Sequence, residues 1–148
     1  MRESYNYREI SDILSTSGSV NAEELFNLSN NGYEVVINLL PGSNEYAVPN
    51  EADIVQNQGV IYHHIPVDFE APKDQDYEKF VSVMENTASL KTHIHCAANW
   101  RVSAFYSVYA CQNGIWDVSR ALDHINSLWS PNDYPVWAEF LANHGINV

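Results

Sequence analysis

From Tyr33 to Leu40 the chain reads YEVVINLL, a short apolar run rich in β-branched residues and closed by Pro41-Gly42, the pattern of a buried strand. Val60 to Val67 (VIYHHIPV) repeats that pattern after Gly59, and Thr92 to His95 makes a third, shorter strand immediately ahead of Cys96. Between and after these runs the period lengthens. Leu25, Phe26 and Leu28 give 22–30 an apolar side, with Asn21 and Glu24 at capping-box spacing and Gly32 as the stop. Residues 51–58 predict a short helix ending at Gly59. Tyr77, Phe80, Val81 and Met84 fall at i, i+3, i+4 and i+7, the stripe of an amphipathic helix. Val102, Phe105, Tyr106 and Tyr109 mark the buried face of a helix over 101–113, stopped by Gly114. Asp117 caps 118–129, where Val118, Leu122, Ile125 and Trp129 recur. Pro135 opens a last helix carrying Trp137, Phe140 and Leu141 and ending at Gly145.

Strands alternating with helices need crossover connections. The expected fold class is therefore α/β, a mostly parallel central sheet flanked by helices, in one domain spanning 1–148 without repeat, low-complexity tract or linker. In open sheets of this kind ligands bind at the carboxyl ends of the strands, which directs the search for chemistry to the segments after Leu40, Val67 and His95.

Composition narrows the partners. A chain of 148 residues, 45% hydrophobic, can bury a core without metal or disulfide. Seven Lys and Arg against nineteen Asp and Glu leave a net charge of -12, which denies the chain the basic face that nucleic acid or an anionic membrane requires. No apolar run approaches the roughly 18 residues of a membrane helix. Met1-Arg2-Glu3-Ser4-Tyr5-Asn6 lacks a secretory apolar stretch; a cytoplasmic location is expected, with the mature form of an exported precursor as the alternative. Cys96 and Cys111 are too few for a disulfide framework, and a helix over 101–113 would hold them beyond the ~7 Å that a bridge spans. Cys111 is expected in the core.

The segment Thr92-His93-Ile94-His95-Cys96-Ala97-Ala98-Asn99-Trp100-Arg101-Val102-Ser103 sets a cysteine between a strand end and a helix N-terminus. Free N–H groups and the positive end of the helix dipole make such a loop an anion site, and a thiol there is a candidate nucleophile. Ala97 and Ala98 allow close backbone approach, and Asn99 tolerates the left-handed conformation that a tight loop needs. Arg101, one of four arginines, can hold an oxyanion through two parallel hydrogen bonds. Asp68 lies just past the second strand as a candidate general acid, with Glu70, Asp74 and Asp76 as neighbours; Asp76 is expected to cap the following helix. His63, His64, His93 and His95 with Cys96 lack the helical His spacing or paired Cys of a zinc motif, so no metal is assigned. His95 is expected to fix Cys96 through hydrogen bonds to the loop, and Trp100 to shape the pocket mouth or pack beneath it. Tyr106, Tyr109, Trp129 and Trp137 read as core.

His95-Cys96 … Arg101 with a following Ser resembles the signature of the cysteine-dependent protein phosphatases, particularly the dual-specificity class, and more narrowly bacterial phosphatase-like domains of that superfamily. His63-His64-Ile65-Pro66-Val67-Asp68 resembles the segment that delivers the family's general acid, and Asp117, Ala121-Leu122 and Pro131-Asn132 resemble its later helices. The resemblance covers most of the chain. It implies a dual-specificity-phosphatase-like three-layer fold, a phosphomonoester substrate or phosphate-like anion as ligand, a phosphocysteine intermediate and no cofactor. Residue by residue it implies Cys96 as nucleophile, Arg101 with the loop N–H groups of Ala97, Ala98, Asn99 and Trp100 as phosphate ligands, and Asp68 as general acid. Ser103 would hydrogen-bond the departing thiolate, or serve as an ordinary first-turn serine. The family places five residues between Cys and Arg, and this chain four. Matching from Cys96 puts Ala98, Asn99 and Ser103 on the family's small residue, Gly and Ser, but Val102 on its Arg. Matching from Arg101 keeps Tyr109 and Asp117 in register and shortens the loop; it is preferred, since Val cannot bind phosphate. Two alternatives stay open: a phosphatase-like module that binds an anion with little turnover, and a rhodanese-like sulfurtransferase, whose six-residue Cys loop carries a persulfide.

Overall fold

The computed structural model describes residues 1–148. Along the chain run β1 (Arg8–Ser11), β2 (Leu14–Ser17), α1 (Ala22–Leu25), β3 (Val35–Asn38), α2 (Glu51–Gln56), β4 (Ile61–His64), α3 (Asp74–Asn86), β5 (Thr92–His95), α4 (Trp100–Gln112), α5 (Val118–Asn126) and α6 (Pro135–Asn143). The strands form one sheet in the order β1-β2-β5-β3-β4. All neighbours are parallel except the β1–β2 hairpin. In register, Ser17 lies opposite His95, His95 opposite Asn38, and Asn38 opposite His64. Four carboxyl ends are therefore flush along one edge, and the segments that follow them share a single surface.

Successive strand residues point to opposite faces. Val35, Ile37, Ile94 and Cys96 enter a large core with Phe80, Phe105, Ile125, Trp137, Phe140 and Leu141, built by α3 to α6. Val36 enters a smaller core with Leu25, Leu28, Val55 and Val60 on the face of α1 and α2. The result is the expected α/β three-layer arrangement. α4 is buried from Arg101 to Ala110, as a helix between the sheet and other helices must be. Burying each of its large apolar side chains contributes roughly 1.5–3 kcal/mol, so this helix, with the Cys loop at its N-terminus, is among the best-anchored parts of the molecule.

The elements differ from the pattern reading in particular places. β1 and β2 have no counterpart in the expected three strands. β2 reads LSTS, and its Ser15, Thr16 and Ser17 are buried because hydroxyl partners satisfy them, not because they are apolar. α1 stops at Leu25, well short of 30, and a 3₁₀ turn at Ser29–Asn31 ends on Gly32 in the left-handed region. α5 ends at Asn126, so Trp129 packs from the connection beyond it. α3 starts at Asp74 after Lys73, which puts Asp76 inside the helix and not at its cap. Asn21 and Asp117 do cap: Glu24 N–H donates to Asn21 Oδ1 at 3.1 Å, and Arg120 N–H to Asp117 Oδ1 at 2.8 Å. Cys111 is half-buried at the margin of the large core, with its thiol on Asp117 O at 3.6 Å. No helix is long and apolar enough to cross a membrane.

Candidate active site

Cys96 is the first residue after β5. Its N–H donates to Ser17 O at 3.2 Å, and its side chain is fully buried on the core side of the sheet. Ala97, Ala98 and Asn99 turn the chain into α4, with Asn99 left-handed at φ 67° as the helix N-cap. The loop carbonyls face away from the turn's centre. Ser19 N–H and Oγ–H donate to Ala97 O at 2.8 and 3.1 Å, and Asn6 Nδ2 donates to Ala98 O at 3.0 Å. Ser103 N–H takes Asn99 O at 3.0 Å, the first α4 bond to close. The N–H groups of Ala97, Ala98 and Asn99 donate to nothing in the protein, and those of Trp100, Arg101 and Val102 lie in the first turn, where a helix supplies no acceptor. Unpaired donors at the positive end of a 13-residue helix are what an anion site is built from.

Gly18 shows how tightly this loop is backed. A Cβ there would lie 2.7 Å from Ala98 Cα, so only glycine lets the end of β2 approach the loop. Behind Gly18 runs a buried hydrogen-bond chain. Ser17 Oγ–H donates to Gly18 O at 2.9 Å, so Ser17 must accept from His93 Nε2 at 2.8 Å. His93 Nδ1 then accepts from Ser15 at 2.7 Å, and Ser15 from Tyr33 OH at 2.8 Å. Burial, reinforced by His95 and the N-terminal amine, holds the His93 imidazole well below its ordinary range, which keeps the neutral tautomer this chain requires.

Arg101 leaves the first turn of α4 with its side chain almost wholly buried. Nε donates to Val67 O at 2.9 Å, and the guanidinium carbon stands 5.1 Å from the centre of the Phe69 ring. Its terminal amino groups have no protein acceptor and are not sealed from solvent. Val102, the alternative to Arg101, is fully buried in the core. Asp68 sits between the two residues that hold Arg101. It is exposed, with Oδ1 accepting from Glu70 N–H at 2.9 Å in a tight turn, and Oδ2 uncommitted. Glu70 is exposed on the same turn. Phe69 meets Trp100, Trp129, Tyr134 and Trp137 at ring separations of 6.0, 6.0, 5.2 and 5.5 Å, and Trp100 stacks on Trp129 at 5.3 Å. Trp100 thus belongs to an aromatic wall beside Arg101.

One supporting residue acts differently from expectation, and the other is bonded as a first-turn serine. His95 points to the face opposite Cys96, and its Nε2 donates to Glu51 Oε2 at 2.7 Å while Nδ1 has no partner; it holds the strand end through α2, with no hydrogen bond to the loop. Ser103 Oγ–H donates to Trp100 O at 2.8 Å and accepts from Trp129 Nε1 at 2.9 Å, so its hydroxyl is committed to the helix and the aromatic wall. His64 is spent on Leu40 O at 2.6 Å. The residues that sequence reasoning missed are Asn6, Gly18, Ser19, Glu51 and Phe69. Each acts across a long sequence separation, and only Gly18, between two serines, carried a local signal.

A mostly parallel sheet whose central strand runs through a cysteine loop into a buried helix, with an arginine in that helix's first turn, is the fold of the cysteine-based phosphatases. No family model matches the chain. A crystal structure of the protein named "putative phosphatase (DUF442)" from Shewanella putrefaciens CN-32 is 30% identical, with a TM-score of 0.86 over 97% of this chain and 91% of that one. The chain belongs to this DUF442 family. A cysteine-to-serine form of TpbA from P. aeruginosa, in complex with pTyr, shares the fold at a TM-score of 0.73 and 16% identity, over 95% of this chain and 85% of that one. The beta-lactamase hydrolase-like proteins of two Xylella fastidiosa strains are 27% identical over 121 residues, 78% of this chain. The match spans 28% of the length of those relatives.

Proposed function

We propose that this chain hydrolyses a phosphomonoester, of a phosphoprotein or a small metabolite, through a phosphocysteine on Cys96. The observation that carries the reading is the loop itself: N–H groups without acceptors follow a cysteine directly, and an arginine whose terminal amino groups have no protein acceptor stands in the first turn of the helix they lead into. The Cys96 sulfur, as thiolate, attacks phosphorus and forms the S–P bond as the P–O bond to the leaving group breaks. Asp68 gives its proton to the departing oxygen. Water then attacks phosphorus, the S–P bond breaks, and the Asp68 carboxylate takes the water's proton, which returns both groups to their starting states. The N–H groups and Arg101 hold the three non-bridging oxygens, whose charge redistributes in each step. The four-residue spacing suits this assignment, because the left-handed turn at Asn99 starts α4 early enough to carry Arg101 beneath Val67.

Trapping the adduct tests the reading. Rapid acid quench during turnover of p-nitrophenyl phosphate is expected to leave a phosphoryl group on the Cys96 peptide. A persulfide on Cys96 after thiosulfate, with no phosphoryl adduct, would favour the six-residue-loop sulfurtransferase. Oxyanion binding without either adduct would leave a binding module.

Asp68→Asn is expected to slow phenyl phosphate far more than p-nitrophenyl phosphate. General acid catalysis supplies typically 10²–10⁴-fold, and a p-nitrophenolate that leaves readily needs little of it. Equal losses on the two esters would remove Asp68 from the mechanism and bring forward Glu70, which shares its turn.

A further inference from the structure

We infer that Asn6, far from the Cys loop in sequence, is a positioning residue that sets the direction of the loop's N–H groups; this rests on reading the loop as an oxyanion cradle. In a trans peptide the C=O of one residue and the N–H of the next point in opposite directions across one plane. Fixing a loop carbonyl outward therefore fixes the following N–H inward. Asn6 Nδ2 holds Ala98 O at 3.0 Å and so directs the Asn99 N–H into the cradle. Ser19, with both N–H and Oγ–H on Ala97 O, does the same for the Ala98 N–H.

The clamp is reciprocal. Asn99 Nδ2 returns a hydrogen bond to Asn6 O at 2.9 Å and another to Thr16 Oγ1 at 3.0 Å. Asn6 and Asn99 both occupy the left-handed region, at φ 53° and 67°, so two asparagine turns face each other, the Asn6 amide on Ala98 O and the Asn99 amide on Asn6 O. The segment carrying Asn6 is itself pinned to the end of β2: Tyr5 N–H donates to Ser19 O at 3.0 Å, and Gly18 N–H to Tyr5 O at 2.7 Å. Gly18 brings this support against the loop, because no larger residue fits there. A loop one residue short has fewer internal restraints, and here the restraint comes from outside it.

Asn6→Asp keeps shape and tolerance for the left-handed region but sets an acceptor against Ala98 O. Asn6→Gly keeps the backbone conformation and deletes the amide. Binding of tungstate, an unreactive oxyanion, is measured by calorimetry beside turnover of p-nitrophenyl phosphate and thermal unfolding, which reports the fold as a whole. The expected result is a loss of about tenfold in both tungstate affinity and kcat/KM for Asn6→Gly and more for Asn6→Asp, with Tm close to wild type. Tungstate affinity equal to wild type in Asn6→Gly overturns the inference while the proposed function stands. A large fall in Tm in both variants together with lost affinity also overturns it, since Asn6 would then merely hold the fold together. A wild-type protein that binds no tungstate sinks the cradle itself, and the proposed function with it.

Discussion

Cys96→Ser is expected to abolish hydrolysis of p-nitrophenyl phosphate while the protein remains folded and still binds oxyanions. A serine hydroxyl becomes a useful nucleophile only with a base to take its proton. None is in place for the attacking step: His95 faces the other side of the sheet on Glu51, His93 is consumed by Ser15 and Ser17, and Asp68 enters that step in the proposed mechanism as the acid. The cradle is made of backbone N–H groups, which the substitution leaves untouched, so tungstate affinity is expected to persist. The stability cost is bounded. Burying a hydroxyl without a hydrogen bond costs about 1–3 kcal/mol, visible as a lowered Tm without loss of the folded state. Steady-state assays across pH, with thermal unfolding and tungstate calorimetry on the same preparations, check all three expectations. Residual turnover near the wild-type level would point to a nucleophile other than Cys96.

Much of this arrangement was written in local pattern. The apolar runs at 33–40 and 60–67 located β3 and β4, and the strand-Cys-loop-helix order located the turn from β5 into α4, because each depends on neighbours in sequence. Where the pattern failed, partners far along the chain decided the outcome. β2 is buried though polar, because His93, Tyr33 and Asn99 supply its hydroxyls with hydrogen bonds. A period-based reading sees only LSTS and passes over it. His95 was expected to hold the Cys loop by hydrogen bonds and instead holds Glu51 on the other face, because Glu51 is 44 residues away and shows no periodic signal. The same holds for Phe69. Its ring serves as a platform for Arg101 only once α4 and the segment after β4 have met. Asp68 was legible by its place beyond a strand end, whereas its turn with Glu70 and its position between the two contacts of Arg101 are tertiary facts.

Arg101→Lys keeps the positive charge and yet is expected to lose about a hundredfold in kcat/KM. The guanidinium is held in two ways that an ammonium cannot copy. Its Nε donates to Val67 O at 2.9 Å, and its planar face lies against Phe69. Both contacts orient the remaining fork, whose two amino groups can meet two phosphoryl oxygens in one plane. A lysine's three donors all sit on one terminal nitrogen, with none at the place of Nε, so once the ammonium turns to the anion the buried Val67 carbonyl loses its partner, or the phosphate does. The rings of Phe69, Trp100 and Trp129 line one side of the guanidinium's surroundings, and charge-assisted bonds weigh more beside apolar surface than in open water. Losing one such contact from the transition state costs about 3 kcal/mol, which corresponds to the stated hundredfold. The split between parameters is diagnostic. If the fork binds the equatorial oxygens more strongly as the P–O bond stretches, kcat falls with little change in KM. A rise in KM alone would make Arg101 a ground-state anchor, and unchanged kcat/KM would show that the backbone cradle holds the phosphoryl group without it.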